Sequence, residues 1–394
     1  MSGWLTALAW LLVAAVAFPL GVFVVELLAG ILPARGRASS GSGPSVAVLI
    51  PAHDESAGIG ATLAALAQVA PPGTRALVVA DNCQDDTAAQ ARAAGAEVIE
   101  RQDASARGKG YALAFGRDHL ARGPAVPDVV VVLDADCRLS PGSIEALAQI
   151  AAAEGRPAQA INLIAEDLSA PPMVQIGSFA MLVKNLYRSR GMQRLGGPAL
   201  LTGTGMAFPW ALIARAELAT GSIVEDLALG IELTRAGHPP RLVESAGVRS
   251  APADMRDALT QRTRWEHGFL ETVRGRALPL LASGLKRGSR AEVLLALHLL
   301  VPPLALLLML AGAALGGAAV LALAGGSVVP ALVLAGLLGL ALLLVLAAWV
   351  AGGRAYLSGG ALLRAPLYVL WKLPVYAGFL RKRKVGWTRT PRRP

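Results

Sequence analysis

A mostly parallel α/β domain carried on membrane-spanning helices is the architecture this sequence predicts, and three observations predict it. First, 54% of the 394 residues are hydrophobic and only 16% are charged, with mean hydropathy +0.51, too apolar for a wholly water-soluble chain of this length. Second, long apolar stretches lie on either side of a middle region in which short β-rich runs alternate with helix-like segments, the pattern of a parallel sheet with crossover helices. Third, acidic residues follow three of the short runs, at the carboxyl ends of strands where open α/β sheets bind ligands.

The first element, residues 1–35, reads as a transmembrane helix. Trp4 to Leu32 is apolar except for Glu26 and exceeds the about 20 residues that cross a bilayer. A cleaved signal peptide fits less well, because the apolar stretch outruns an h-region and no basic segment precedes it. Residues 36–45, GRASSGSGPS, form a Gly/Ser linker. From 46 to 280 a single domain follows. Val46–Ile50, Ala76–Ala80, Glu97–Ile99 and Val129–Leu133 are its strands, and Ile59–Val69, Asp86–Ala94 and Tyr111–Leu120 its intervening helices. Between Met173 and Leu195 the apolar Ile176, Phe179, Ala180, Val183 and Tyr187 are set against Lys184, Arg188, Arg190 and Arg194. That is the pattern of an interfacial helix, with a buried core helix as the competitor.

Residues 281–352 carry two more spans, Val293–Ala324 and Val328–Val350, joined by Gly325-Gly326-Ser327, and His298 is a lone polar residue that packs inside the first of them. Residues 353–394 form an interfacial segment and a basic tail. Ala361 to Leu380 contains Arg364, Pro366, Lys372 and Pro374, which favours lying on the membrane over crossing it. The run Arg381-Lys382-Arg383-Lys384 suits contact with anionic lipid.

Charge placement orients the set, since cytoplasmic flanks collect Lys and Arg. Arg35 and Arg37 follow the first span, Lys286, Arg287 and Arg290 precede the second, and Arg354 and Arg364 follow the third. These flanks are therefore expected in the cytoplasm together with the 46–280 domain, and the whole in a bacterial inner membrane. The net charge of +10 divides into +12 from Leu281 onward, −3 for Ser45–Leu280 and +1 for residues 1–44. The basic balance thus belongs to the membrane segment and tail, and no nucleic-acid partner is implied. Cys83 and Cys137 build neither a disulfide framework nor a CxxC pair, and suit a reducing compartment. No Gly-x-Gly-x-x-Gly follows the first strand and no Walker loop is present, so neither a dinucleotide cradle nor an ATP-driven transporter is supported.

The strand ends carry the chemistry. Pro51-Ala52-His53-Asp54-Glu55 follows the first strand, Asp81 to Thr87 the second and Asp134-Ala135-Asp136 the fourth. Asp85 or Asp86 suits a helix N-cap. Asp134 and Asp136, two apart at a strand end, point to one side and offer the hard oxygen ligands that Mg²⁺ or Mn²⁺ prefers when bridged to phosphates. Lys109, between Gly108 and Gly110, approaches a ligand closely or is a solvated surface lysine. Gln261, Arg264 and Trp265 share a face if helical.

In order along the chain stand PAHDES at 51–56, DNCQDDT at 81–87, RGKGYAL at 107–113, DAD at 134–136, TGTGM at 202–206, VED at 224–226 and QRTRW at 261–265. This series, from about Val46 to Val273, resembles the family 2 glycosyltransferases of GT-A (Rossmann-like) fold. The resemblance is strongest to the membrane-bound branch with cellulose, hyaluronan and chitin synthases and ceramide glucosyltransferases.

The resemblance implies an inverting transferase that takes a nucleotide sugar, most simply a UDP-sugar, with Mg²⁺ or Mn²⁺ as cofactor and a lipid or lipid-linked glycan as acceptor. Asp136 would bind the metal, with Asp134 sharing it or binding the ribose. Ala52, Glu55 and Asp81 would border the nucleoside, and Lys109, Gln261 and Arg264 the rest of the donor. Gly203, Thr204 and Gly205 would lie under the acceptor, beside Glu225 and Trp265, and Asp226 would be the general base. For Glu225 and Asp226 the competing role is to favour a helix N-terminus, and for Trp265 an interfacial anchor. Three spans make a thin wall for a polymer channel, which favours single-sugar transfer over processive synthesis. A non-enzymatic nucleotide-binding membrane sensor is the alternative of a different class.

Overall fold

The computed structural model describes residues 2–33, 43–219, 224–251 and 255–381. The 36–42 part of the linker and the basic tail from Lys382 lie outside the described residues, as does the side chain of Gln261. The chain forms two compact units. Ala34–Ala165 with Pro198–Ala253 makes an α/β unit, and Met1–Pro33, Glu166–Gly197 and Asp254–Gly386 make a helical one.

The α/β unit is built on an eight-stranded sheet: β1 (Val46–Ala52), β2 (Arg75–Asp81), β3 (Glu97–Arg101), β4 (Val129–Val132), β5 (Cys137–Leu139), β6 (Ala158–Ile164), β7 (Met206–Pro209) and β8 (Arg241–Ser250). The order is β3-β2-β1-β4-β7-β6-β8-β5. β1 to β4 are mutually parallel where they pair, whereas β7 runs antiparallel to both β4 and β6. The four expected strands and the helices Ile59–Val69, Thr87–Ala93 and Lys109–Arg122 are present, within a few residues of their predicted bounds.

β1 and β4 are buried on both faces. Val46, Val48 and Ile50 pack into one core with Val129 and Val131, while Ala47 and Leu49 enter the other with Val130 and Val132. Such two-sided burial is why these strands read as unbroken apolar runs. Because β7 is antiparallel to β4, with Val132 opposite Met206, the 202–205 segment that precedes β7 arrives at the carboxyl end of β4. This reversal brings a second group of motif residues to the rim on which Asp134 stands.

In the helical unit, three helices among the described residues are long and apolar enough to cross a membrane: Gly3–Gly30, Leu304–Leu323 and Val329–Ala351. The expected span Val293–Ala324 is not continuous. Pro302-Pro303 separates a short helix, Arg290–Leu299, from the long one, because proline has no N–H to donate and restricts the residue before it. His298 therefore lies outside the long helix, and it is not alone. Its Nδ1 stands 2.8 Å from Glu26 Oε1, and Arg188 Nε donates to Glu26 Oε2 at 2.7 Å, with Glu26 only 1% exposed.

The Met173–Leu195 segment is one run of helix, Pro172–Leu182 and Ser189–Arg194 flanking a π-helical stretch, Val183–Arg188. Two of its arginines are turned inward. Arg188 and Arg190 are buried, and Arg190 and Arg194 donate to the last carbonyls of the N-terminal helix, those of Gly30 and Ala29, at 3.1 and 2.7 Å. Gly191 makes this approach possible, since a Cβ there would fall 1.8 Å from the Glu26 carbonyl oxygen. The 361–380 stretch is divided into the short helices Gly359–Leu362, Ala365–Trp371 and Leu373–Leu380, none of which has the length to cross a bilayer.

Candidate active site

Asp134 and Asp136 follow β4, and both are half-buried. The ligand atoms of Asp134, Asp136 and Cys137 lie within 4.8 Å of one another. The backbone between the two acids is pinned: Thr62 Oγ1 donates to Ala135 O at 2.7 Å, and the Asp134 N–H donates to Thr204 Oγ1 at 3.1 Å. Thr204 is buried, and its carbonyl accepts from Gln159 Nε2 at 2.9 Å while Gln159 Oε1 accepts the Thr202 N–H at 3.0 Å. The 202–205 loop is thus laced to the aspartate loop. Gly205 is required there, since its φ is +62° and a Cβ would fall 2.7 Å from Val248 Cγ1.

Lys109 joins three motifs. Its Nζ donates to Asp134 Oδ1 and, at 2.7 Å, to Gly203 O. Burial acts to lower its pKa, but the carboxylates of Asp134, Glu225 and Asp226 outweigh burial and raise it. The solvated-lysine alternative is therefore set aside. Glu225 and Asp226 occupy the first turn of the Glu225–Arg235 helix, and a Cβ on Gly203 would stand 3.4 Å from Asp226 Oδ2. Burial and then the adjacent Asp226 push the Glu225 carboxyl up to about 7, against the opposing pull of Lys109. Asp226 Oδ1 accepts the Leu227 N–H at 2.8 Å, so the helix-terminus role operates alongside whatever else it does. A small cleft opens here, lined by Gly110, Leu113, Met206, Glu217, Glu225 and Asp226 among others.

The β1 and β2 ends form a second cluster. Asp81 is buried and its Oδ1 accepts from Arg101 Nη1 at 2.7 Å and Asn82 Nδ2 at 3.0 Å. Ala52 is buried at the end of β1, and the Glu55 N–H donates to Thr87 Oγ1 at 2.7 Å. Asp85 accepts from the Thr87 N–H at 3.0 Å and the Ser56 N–H at 3.1 Å. Although burial opposes it, hydrogen bonds from the Thr87 and Ser56 side chains and backbones hold the Asp85 carboxyl at about 2. Of the two acids expected to cap the Thr87–Ala93 helix, Asp86 stands at the N-cap position without a side-chain capping bond, and Asp85 accepts the first helical N–H. Asp54 and Asn82 both adopt positive φ, 51° and 53°, a conformation these two residue types tolerate.

A family model described as "Glycosyltransferase like family 2" matches residues 44–268. The chain belongs to this family. Among solved structures, the family 2 chain is similar to the mannosyltransferase PcManGT from Pyrobaculum calidifontis in complex with GDP-Man and Mn²⁺, at TM-score 0.60 and 18% identity over 96% of this chain and 100% of that one. At this identity the likeness shows a shared GT-A-like fold. Glucosyl-3-phosphoglycerate synthase from Mycobacterium tuberculosis, in complex with Mn²⁺, UDP and phosphoglyceric acid, gives TM-score 0.41 at 22% identity, over 58% of this chain and 78% of that one. No curated protein matches the chain.

The donor set of this glycosyltransferase fits a divalent ion. Two carboxylates converge at the end of β4 and supply hard oxygen ligands. Cys137 is a poor third ligand, because burial and then the neighbouring Asp136 push its thiol well above the usual range.

Of the residues singled out from sequence, Lys109, Asp134, Gly203, Thr204, Glu225 and Asp226 come together in the α/β unit. Arg264, half-buried, and Trp265, 41% exposed, lie on the Met255–Thr272 helix of the helical unit. Sequence reasoning missed Arg101 and Gln159. Arg101 ends β3 and pairs with both Asp81 and Asp103, at 2.7 and 3.0 Å, with its guanidinium 5.5 Å from the Tyr111 ring. A basic residue at a strand end facing an acid was the available signal.

Proposed function

We propose that this family 2 glycosyltransferase is an inverting, metal-dependent enzyme that moves a sugar from a nucleotide-sugar donor, a UDP-sugar, to a lipid or lipid-linked glycan at a membrane. The observation that carries the reading is the convergence of Asp134, the Gly203 carbonyl and the Glu225–Asp226 pair on the Lys109 ammonium. Asp136 with Asp134 would hold the divalent ion, which when bound supplies positive charge to the departing diphosphate.

Asp226 takes the proton of the acceptor hydroxyl. That hydroxyl oxygen forms the new bond to the anomeric carbon as the bond from that carbon to the diphosphate oxygen breaks, and attack from the opposite face inverts the configuration. Glu225 shares the acceptor side with Asp226. Lys109, cationic throughout the working pH range, offsets the charge of the Asp134, Glu225 and Asp226 carboxylates around it. Gly203, Thr204 and Gly205 floor the acceptor position, and Ala52, Glu55 and Asp81 border the nucleoside. Gln261 and Arg264 serve the diphosphate, and Trp265 is an aromatic platform for the acceptor.

The three long apolar helices support a membrane location, and the Lys and Arg flanks support a cytoplasmic catalytic unit. The division of 361–380 into short helices supports an interfacial position for it. The test is mass spectrometry of products formed by the purified protein from a panel of UDP- and GDP-sugars with native lipid extract. A lipid carrying one added sugar agrees with the proposal. Long polymer, or no product from any donor, contradicts it.

A further inference from the structure

The C-terminal helices carry a feature that a membrane anchor does not need. Lys372 lies between the Ala365–Trp371 and Leu373–Leu380 helices and is completely buried, at 0% exposure. A lysine on an interfacial segment ordinarily extends its ammonium toward water and headgroups. Here Nζ turns inward to Glu266 Oε1 at 2.5 Å, with the Tyr368 ring 5.7 Å away. The next residue along, His267, donates from Nε2 to Val375 O at 2.7 Å and meets the Phe379 ring edge-on at 5.5 Å. Tyr376 lies beside the same Glu266 carboxylate, and burial together with that carboxylate pushes its phenol above the usual range.

Glu266 and His267 directly follow Arg264 and Trp265 on one helix. A second hold on that helix comes from Lys184, whose Nζ stands 5.8 Å from the Phe269 ring. A helix turns by about 100° per residue, so contacts at 266, 267 and 269 fix both the rotation and the height at which 264 and 265 are presented. Replacing a buried ion pair by apolar groups is often neutral or stabilising, whereas removing one partner alone is strongly destabilising. A buried Lys–Glu pair is thus a costly way to anchor a segment and an effective way to fix one geometry.

We propose that the Lys372–Glu266 pair and the His267–Val375 hydrogen bond make the C-terminal helices a positioning element for Arg264 and Trp265, so that this segment sets the rate of transfer besides lying at the membrane. The proposal rests on the transferase reading above.

The test uses the full chain in nanodiscs, with 5-fluorotryptophan incorporated and the Trp265 ¹⁹F resonance assigned by Trp265→Phe. The neutral pair Glu266→Gln/Lys372→Met leaves no orphaned charge and therefore folds. It is expected to lower kcat on the order of tenfold or more, to leave the donor KM within about threefold, and to shift the Trp265 resonance. Lys372→Arg, which keeps the charge, is expected to hold kcat and the resonance near wild type. Unchanged kcat and an unmoved resonance in the neutral pair would overturn the proposal, as would equal losses in Lys372→Arg and the neutral pair. If the wild type transfers no sugar from any donor, the transferase reading falls, while the Trp265 resonance still decides the positioning role.

Discussion

Glu225→Gln is the perturbation that most sharply probes the electrostatics of the cleft. Burial and Asp226 raise the Glu225 carboxyl from its ordinary 4.5 to about 7. Each pKa unit is worth about 1.4 kcal/mol, so the ionised carboxylate costs the folded state about 3 kcal/mol. The sign follows from the folded value lying above the unfolded one. Below about pH 4.5 the group is protonated in both states and costs nothing; as pH rises through 7 that stability is lost, and above 7 the loss is constant. Glutamine carries no charge and removes the dependence. Thermal unfolding in detergent, followed from pH 5 to 9, should show the wild-type midpoint falling between about 5 and 7. The variant should melt roughly 6–12 °C higher than wild type at pH 8, taking about 2–4 °C per kcal/mol. Parallel curves for the two proteins would refute the assignment of the proton to Glu225. If Asp226→Asn flattened the curve instead, the shared proton would reside on Asp226.

Asp136→Ala should abolish metal-dependent binding of UDP, measured by calorimetry with and without Mn²⁺, while leaving the fold intact because Asp136 is only half-buried. In the helical unit, Gly191→Ala places a Cβ 1.8 Å from the Glu26 carbonyl oxygen and forces the helices apart. An overpacking cost of about 2 kcal/mol or more should appear as a midpoint lowered by roughly 5 °C, with Gly191→Ser no better.

Much of the α/β unit was legible because its central parallel strands β1 and β4 are buried on both faces and so read as runs such as Val129-Val130-Val131-Val132. The other strands were not. β6 and β8 include Gln159, Asn162 and Glu244, and their pairing shifts register between Ala160 and Ile161, so neither alternation nor an apolar run marks them. β5 has three residues, too few to show a period. Motif order placed the acids, but only the fold could show that β7 reverses direction and carries Gly203 to Lys109 and Asp134.

In the helical unit, hydropathy alone joined residues that Pro302-Pro303 separates, although the proline pair was itself readable. Glu26 gave the clearest overlooked signal. An acid within an apolar stretch requires a partner, and Arg188 and His298, read as outward-facing and as mere packing, supply it.

The central claim, that Asp226 is the base of an inverting sugar transfer, is tested most directly by comparing wild type with Asp226→Asn in UDP binding and in single-turnover transfer from the donor that the panel identifies. UDP affinity should stay within about threefold of wild type, and transfer should slow by about 10²–10⁴-fold. Transfer at the wild-type rate in Asp226→Asn would contradict the claim.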